Sequence, residues 1–317
     1  METIGFIGIG NMGSGMSRNI QRAGYPMVVH DIRKHVLKPL LEEGARMATS
    51  PAEVARLSDV IFTSLPGPTE VEEVAIGPEG LLEGIKKGSV YVDLSTSKPS
   101  LIRSIEPMFR MKGAHTLDGP VSGGTVGAAS GNLAILVGGD REVYDRIKPI
   151  LDAFGDKAFY AGEIGCGAIA KLVHNMISMT LSRVLAEGMT LGVKAGVEPR
   201  TLWECVRRGA VGRMSQLHVS LPQSAFRGKF DPPGFALKLA RKDVALATEL
   251  GREFDVPLPF ANLTEQVLVQ ALNRGWGERD SSATWLLQEE NAGVEVRVPD
   301  IDLEKAGRFI STHPEIE

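Results

Sequence analysis

A lysine and an asparagine in the middle of the chain have the spacing of a catalytic pair on a helix. Lys171 and Asn175 are four residues apart in a segment whose apolar pattern predicts one long helix over 168–195, so we expect both side chains on one helix face. An ammonium group and a carboxamide together suit a hydroxyl and the oxyanion or carboxylate beside it. A lysine that acts as a base near neutral pH needs its pKa lowered from about 10.4, by burial or by a neighbouring cation. A lysine on a helix is more often a solvated charge, however, and His174, one position off this face, is interpreted as structural.

A glycine-rich segment offers a second kind of chemistry, the binding of an anion. Residues 118–124 read DGPVSGG, which is too rich in glycine for regular structure. Ser122, Gly123 and Gly124 are therefore expected in a loop whose unpaired backbone N–H groups bind a substrate carboxylate. A plain turn between two strands is an equally good interpretation of this segment by itself.

The N-terminal segment has the glycines of a dinucleotide-binding turn between a strand and a helix. Gly8 permits the tight turn, Gly10 lets a pyrophosphate approach the backbone, and Gly13 lets the helix pack closely on the strand. Asn11 and Met12 lie at the start of the helix, where free N–H groups and the positive end of the helix dipole face the phosphates. The turn predicts a bound NAD or NADP.

Asp31 is the residue from which the choice between these two cofactors is predicted. It ends the next strand pattern, 18 residues after Gly13. A carboxylate there accepts hydrogen bonds from the adenosine ribose and repels a 2′-phosphate, which favours NAD. Arg33 and Lys34 follow directly and suit a phosphate, so NADP stays open as the alternative.

Short buried strands that alternate with helices must position these groups. The predicted strands are 4–7, 27–30, 60–63, 90–92, 133–137 and 158–160. Their alternation with helices predicts a parallel, doubly wound sheet covered on both faces. After about residue 165 strand patterns are scarce until 294–298. The predicted fold class is α/β: an N-terminal Rossmann doubly wound sheet (1–163), followed by an all-α C-terminal domain (164–317) that is joined by a long helix and carries an extended C-terminal tail.

Two short segments follow strands of this sheet and are expected at its carboxyl edge. Leu65 and Pro66 come after the strand 60–63, and Thr96 comes shortly after the strand 90–92. Ligands of open α/β sheets bind at this edge. These residues are therefore candidates for contact with a ligand.

Composition excludes several other classes of protein. The 317 residues carry a net charge of -4, which gives no general attraction to nucleic acid or to an anionic membrane, and no apolar run is long enough to span a bilayer. The two cysteines, Cys166 and Cys205, lack the spacing of a zinc site, so no metal is predicted. We read no signal peptide and expect a cytoplasmic protein.

Four motifs, in order, resemble those of the β-hydroxyacid dehydrogenase family, which includes 3-hydroxyisobutyrate dehydrogenase. They are GFIGIGNMGSGM at 5–16, DGPVSGG at 118–124, GCGAIAKLVHN at 165–175 and FALKLARKDVALA at 235–247. The resemblance covers roughly residues 4 to 290. Family members commonly form homodimers or homotetramers, and their chains usually end soon after the position of residue 290, so the family gives no guide to the tail.

The resemblance also implies roles for single residues. Lys171 matches the catalytic lysine and Asn175 the asparagine beside it, while the loop of Ser122, Gly123 and Gly124 matches the one that grips the substrate carboxylate. Thr96 matches a residue near the nicotinamide, and Lys242 matches a lysine of the helical domain that reaches the cofactor and substrate. Leu65 and Pro66 would line the cofactor path. A second ammonium from Lys242 would help to lower the pKa of Lys171.

The expected function is NAD-dependent oxidation of a small 3-hydroxy acid, such as 3-hydroxyisobutyrate, to the semialdehyde or oxo acid, or the reverse reduction. Reduction of tartronate semialdehyde or 2-formylglutarate is the alternative within the family. Imine reductases share the architecture but typically lack the lysine, and the decarboxylating 6-phosphogluconate dehydrogenases need a phosphate cluster that the sequence does not reveal. A dinucleotide-binding protein without catalysis is the alternative outside enzymes, and it would need neither Lys171 nor Asn175.

Overall fold

The computed structural model describes residues 1–298 and 300–302. The chain divides into two compact units, Met1–Ile177 and a second unit that begins at Ser178. The first unit contains the sheet and the second is helical, which confirms the predicted fold class of an α/β part followed by a helical part. The domain limits of 1–163 and 164–317 stay a prediction.

One sheet organises the first unit. Within the described residues it has nine strands, in the order β3-β2-β1-β4-β5-β6-β8-β7, with β9 paired to β8. Neighbours from β3 to β6 are parallel, as are β8 and β9, whereas β8 runs antiparallel to β6 and β7. The strands are β1 Ile4–Ile7, β2 Met27–His30, β3 Arg46–Met47, β4 Val60–Thr63, β5 Val90–Asp93, β6 His115–Asp118, β7 Val121–Ser122, β8 Ala134–Gly138 and β9 Lys157–Gly162.

Helices cover both faces of this sheet because its strands are apolar on both sides. Phe6 and Phe62 pack into one buried cluster, while their neighbours Ile7 and Ile61 pack into another on the opposite face. The helices of this unit are α1 Gly13–Arg22, α2 Lys38–Glu42, α3 Pro51–Leu57, α4 Pro68–Ile76, α5 Leu81–Gly84, α6 Pro99–Met111, α7 Gly124–Ser130, α8 Arg141–Leu151 and α9 Cys166–Lys194, the last of which contains the unit boundary.

The glycine-rich segment 118–124 differs from its prediction. Regular structure was not expected there, yet β6 ends at Asp118, β7 occupies Val121–Ser122 and α7 begins at Gly124. Two residues of β7 pair with β8, and this antiparallel pairing also departs from the parallel sheet that the sequence predicts. A strand of two residues is too short to show a periodic pattern. Its residues are extended because they pair with β8, and not because of their own propensity.

The second unit is built from helices around a small core. Leu237, Leu268, Ala271 and Leu287 form its buried cluster. The helices after α9 are α10 Pro199–Arg208, α11 Leu221–Gln223, α12 Leu237–Glu253, α13 Pro259–Asn273 and α14 Thr284–Ala292. None of the helices in the described residues combines the length and the hydropathy that a membrane-spanning helix needs.

The segment 294–298 is not the strand that its alternating pattern predicts. The Arg297 side chain forms an ion pair with Glu289 and donates a hydrogen bond to the Ala225 carbonyl, and Val298 N–H donates to the Phe226 carbonyl. Contacts with Glu289, Ala225 and Phe226 thus hold this segment, and no strand among the described residues pairs with it. The rest of the predicted tail, residues 303–317 and Pro299, lies outside the described residues.

A buried polar network lies at the carboxyl end of β5. The Thr63 hydroxyl and Ser95 N–H donate to Asp93 Oδ1, at 2.8 and 3.0 Å, and the Tyr91 hydroxyl donates to Thr63. Leu65 N–H donates to the Ser95 hydroxyl. The network joins the ends of β4 and β5 and so fixes the sheet edge at which ligands bind. Because Asp93 is fully buried, its pKa is raised from 3.8 to about 6.

We predict that Asp93 makes the stability of the protein depend on pH between about 4 and 6. A raised folded-state pKa means that the folded protein binds the Asp93 proton more tightly than the unfolded chain does. Protonated Asp93 therefore stabilises the fold fully below about pH 4, and this contribution to the unfolding free energy is lost as pH rises through 6. From pH 4 to pH 7 the unfolding free energy of the wild type should fall by up to about 3 kcal/mol relative to Asp93→Asn. Urea unfolding at four pH values measures this difference, with Asp145→Asn, an exposed acid, as the control; a difference independent of pH would contradict it.

Candidate active site

The glycine turn between β1 and α1 is required by close approaches of the backbone. Gly8 has φ +92°, and a Cβ there would lie 2.3 Å from the Ser64 carbonyl oxygen. A Cβ at Gly13 would lie 1.9 Å from the Gly8 carbonyl oxygen. Gly10 is different, because the nearest atom to a Cβ there would be Arg33 Nη2 at 3.6 Å. The protein itself leaves the space over Gly10 open, which suits a pyrophosphate against the backbone.

The start of α1 presents backbone donors to this open space. The helix begins at Gly13 after Met12, and no side chain caps it. The first N–H groups of a helix have no intrahelical acceptor and carry the positive end of its dipole. Asn11, Met12 and Gly13 lie at this uncapped helix start and line the cavity, and anion binding there stays a prediction.

Asp31 is held rigidly beside the turn. Its carboxylate accepts hydrogen bonds from Ile9 N–H at 2.8 Å and from the backbone N–H and Nε of Arg33 at 2.8 and 3.3 Å. Burial alone would raise the pKa of Asp31, but the hydrogen bonds from Arg33 and Ile9 outweigh it and hold this pKa below its usual value. The residue is therefore a fixed negative charge at the end of β2.

One cavity of about 860 Å³ is lined by most of the predicted cofactor residues, though not by Thr96 or Lys242. Such a volume suits a large small-molecule ligand. The predicted residues that line it are Gly8, Gly10, Asn11, Met12, Gly13, Asp31, Leu65 and Pro66. Sequence reasoning missed the acidic residues Glu70, Glu73 and Glu79, which also line it. Their positions on and after α4 carry no motif, so only the fold reveals them. Thr96 is exposed after β5 and is not among the lining residues.

Asp118 anchors the helix that carries Lys171. Its two carboxylate oxygens accept hydrogen bonds from Gly165 N–H at 2.7 Å and Ala168 N–H at 2.6 Å. These donors belong to the start of α9, where an acceptor is required because the helix itself supplies none. Burial raises the pKa of Asp118 in spite of these hydrogen bonds. The sequence gives no sign of this role, because the partners lie about fifty residues further along the chain.

Lys171 lies one turn after the anchored start of α9, and it is buried. Its side chain and backbone together are only 8% exposed. Burial lowers its pKa, since the ammonium loses its hydration. Asn175 is half-buried four residues later on the same helix. Lys242 lies on α12 of the second unit, where its ammonium forms an ion pair with Asp243 at 2.9 Å, and its role at the cofactor stays a prediction.

Ser122 contacts a residue that the sequence analysis interpreted as structural. Its hydroxyl lies 3.1 Å from His174 Nε2. After Ser122 the chain turns through Gly123 at φ +136° and Gly124 at φ +63°, conformations that favour glycine, and α7 begins at Gly124. The first unit thus places this loop beside the segment of α9 that carries Lys171 and Asn175.

The two kinds of glycine in the turn should respond differently to a methyl group. Gly10→Ala should change the unfolding free energy by no more than about 0.5 kcal/mol, because its Cβ meets open space, yet weaken NADH binding roughly tenfold or more. Gly13→Ala should lower the unfolding free energy by roughly 1–3 kcal/mol, because its Cβ overlaps a carbonyl oxygen. Denaturant unfolding and NADH fluorescence titration measure both. Binding of NADH to Gly10→Ala with wild-type affinity would refute the assignment.

Two family models match most of the chain. Residues 3–162 match the model described as the NAD binding domain of 6-phosphogluconate dehydrogenase. Residues 165–287 match the model described as the NAD-binding region of NADP-dependent 3-hydroxyisobutyrate dehydrogenase. Together they establish a nicotinamide-dinucleotide enzyme.

Characterised relatives cover nearly the whole chain. The 2-(hydroxymethyl)glutarate dehydrogenase of Eubacterium barkeri is 36% identical over 92% of this chain and 97% of its own length. The NAD-dependent L-serine dehydrogenase of Pseudomonas aeruginosa is 35% identical over 92% of this chain and 100% of its own. Among solved structures, a reductive aminase from Aspergillus terreus has a TM-score of 0.79 at 20% identity, covers 91% of this chain and 99% of its own, and supports the fold alone. The chain therefore belongs to the β-hydroxyacid dehydrogenase family and is an NAD(P)-dependent oxidoreductase.

Proposed function

We propose that the protein oxidises a small 3-hydroxy acid with NAD, forming the semialdehyde or oxo acid, and catalyses the reverse reduction. The observation that carries this proposal is the buried Lys171, whose pKa is lowered by its burial and which shares a helix face with Asn175. Burying an ammonium costs free energy, and cofactor binding alone needs no such group. The arrangement therefore favours catalysis over the non-catalytic alternative.

Lys171 supplies the base in this proposal. Its lowered pKa increases the fraction of neutral amine, which takes the proton of the substrate hydroxyl, while Asn175 donates a hydrogen bond to the same oxygen. Ser122 and the N–H groups of Gly123 and Gly124 bind the carboxylate and so orient the carbinol carbon. When bound, the nicotinamide supplies the hydride acceptor for oxidation and the donor for reduction.

The substrates named for the relatives share one chemical frame. 2-(Hydroxymethyl)glutarate, L-serine and 3-hydroxyisobutyrate are all 3-hydroxypropionates that differ in the substituent at C2. The same number of bonds separates the hydroxyl from the carboxylate in each, so one lysine and one carboxylate loop could bind all three. We infer a primary 3-hydroxy acid with a C2 substituent as the substrate. The semialdehydes tartronate semialdehyde and 2-formylglutarate belong to the same frame in the direction of reduction.

Replacement of Lys171 tests the mechanism. We expect Lys171→Ala to lower kcat for hydroxy-acid oxidation by roughly 10²–10⁴-fold, because the proton acceptor is lost, while NADH affinity changes little. Wild-type kcat/KM should rise with pH as Lys171 loses its proton, on a limb below pH 10.5, and this limb should vanish in the variant. Absorbance at 340 nm over a panel of C2-substituted 3-hydroxypropionates follows both.

Lys112→Ala, which removes an exposed lysine at the end of α6, is the control and should behave as the wild type. Oxidation by Lys171→Ala within tenfold of the wild-type rate would exclude the lysine as the base. Failure of the wild type to oxidise any member of the panel with either cofactor would exclude the proposed function itself.

Asp31 supports NAD as the preferred cofactor. Its fixed negative charge would repel a 2′-phosphate. Two cations line the same cavity and would attract that phosphate: Arg33, which forms an ion pair with Asp31, and the neighbouring Lys34. We predict that Asp31→Asn raises the ratio of kcat/KM with NADP to that with NAD by roughly tenfold or more, which corresponds to about 1.4 kcal/mol. Adding Arg33→Ala to this variant should reverse part of the gain. A wild type that prefers NADP, or a ratio unchanged in Asp31→Asn, would contradict the assignment.

A further inference from the structure

We propose that His174 is a positioning residue, which sets the donor direction of the Ser122 hydroxyl and thereby prepares it for the substrate carboxylate. The inference rests on the proposed function of the 122–124 loop as the carboxylate site. Its observation is the contact of 3.1 Å between His174 Nε2 and Ser122 Oγ, which joins α9 to β7 across 52 residues of sequence.

The donors and acceptors of the three groups allow one arrangement. A carboxylate only accepts hydrogen bonds, so the single O–H of Ser122 must point to it. Ser122 Oγ can then only accept a hydrogen bond from His174. Nε2 must therefore be protonated, and its N–H donates the hydrogen bond to Oγ. In the opposite arrangement Ser122 would donate to Nε2 and present lone pairs to the carboxylate, which is repulsive. A bound carboxylate thus selects the form of His174 that is protonated at Nε2.

The backbone of Ser122 is fixed, but its side chain is not. Pairing with Ala134 in the sheet holds the main chain, and a serine side chain still has three staggered rotamers. The contact with His174 favours the rotamer that faces α9. Because His174 is three residues after Lys171 and directly precedes Asn175, the same contact also ties the loop to the helix that holds the reacting hydroxyl.

A nucleophilic Ser–His pair is the rival explanation, and the geometry disfavours it. Such a pair needs a third group that orients the histidine through its other ring nitrogen. Among the residues that the structure describes, no carboxylate bonds to His174 Nδ1. His174 is also exposed to water, whereas Lys171 is buried. The histidine is therefore the weaker candidate for a base that acts away from solvent.

Four variants test the proposal. His174→Leu removes the donor, His174→Gln keeps an N–H group at a similar reach, Ser122→Ala removes the hydroxyl, and a double variant carries both His174→Leu and Ser122→Ala. With the best 3-hydroxy acid of the panel, we expect His174→Leu to raise KM about fivefold to tenfold with kcat within about twofold, since Ser122 loses the one hydrogen bond that directs its hydroxyl to the carboxylate. His174→Gln should stay within about twofold of the wild-type KM. The double variant should be no worse than Ser122→Ala, because both changes break one link.

Binding of isobutyrate separates this inference from the proposed reaction. Isobutyrate has the carboxylate but no hydroxyl, and calorimetric titration into the NAD-loaded protein reports the carboxylate site without turnover. We expect both His174→Leu and Ser122→Ala to weaken its binding about fivefold to tenfold, with NADH affinity unchanged. This result would support the inference even if no hydroxy acid were oxidised, in which case the proposed function alone would fail.

Several results would overturn the inference. These are wild-type isobutyrate affinity in His174→Leu, losses that multiply in the double variant, a fall in kcat at unchanged KM, or no isobutyrate binding by the wild-type holoprotein. A merely structural role for His174 would lower the unfolding free energy and NADH affinity together, and His174→Gln would not rescue KM.

Discussion

The burial of the Lys171 ammonium is the constraint on which the rest of the candidate site depends. An ammonium group out of water favours its neutral form, and the neutral amine is what a base for a hydroxyl proton requires. A buried lysine can act as a base only where its nitrogen is held at hydrogen-bond distance from the reacting oxygen, because small errors in position cost much of the rate. The first turn of α9 must therefore be held firmly, and the Asp118 carboxylate does so through two backbone hydrogen bonds.

The last residues of β5 and β6 are both aspartates, and both hold neighbouring elements at this edge of the sheet. Asp93 and Asp118 are partners in the parallel register of β5 and β6, and their carboxylates accept hydrogen bonds from different elements. Asp93 joins β4 and β5 through Thr63 and Ser95, on the side of the cofactor cavity. Asp118 accepts hydrogen bonds from the start of α9, which carries Lys171. Adjacent carboxylates of one sheet thus hold both the end of β4 and the start of α9.

Much of the fold was predictable from the sequence, and the reason is local. Strands such as Ile4–Ile7 and Val60–Thr63 are continuous apolar runs because both of their faces are covered, and the glycine turn has spacing that few other structures need. The prediction missed three strands: β3 and β7 have only two residues each and so no periodicity, and β6, His115–Asp118, is too polar to read as a buried apolar run. The segment 294–298 alternates like a strand, but it pairs with no strand in the part of the chain that the structure describes, so its pattern was misleading.

The contacts of the candidate site were less predictable, because they join distant residues. Lys171 and Asn175 were found from their spacing and from the family resemblance. The anchoring by Asp118 and the contact between Ser122 and His174 span 47 to 52 residues and leave no pattern in the sequence. Long-range pairing of polar side chains depends on the register of the sheet and on the direction of α9, and neither is encoded locally.

The most direct test of this account is the pKa of Lys171 in solution. Titration of the lysine Cε and Hε resonances by NMR, with Lys171→Ala to assign the signal, measures it without any substrate. We expect a midpoint below the 10.5 of a lysine in water. A midpoint at or above 10.5 would show a solvated or ion-paired ammonium, and the proposal that Lys171 is the base would be contradicted.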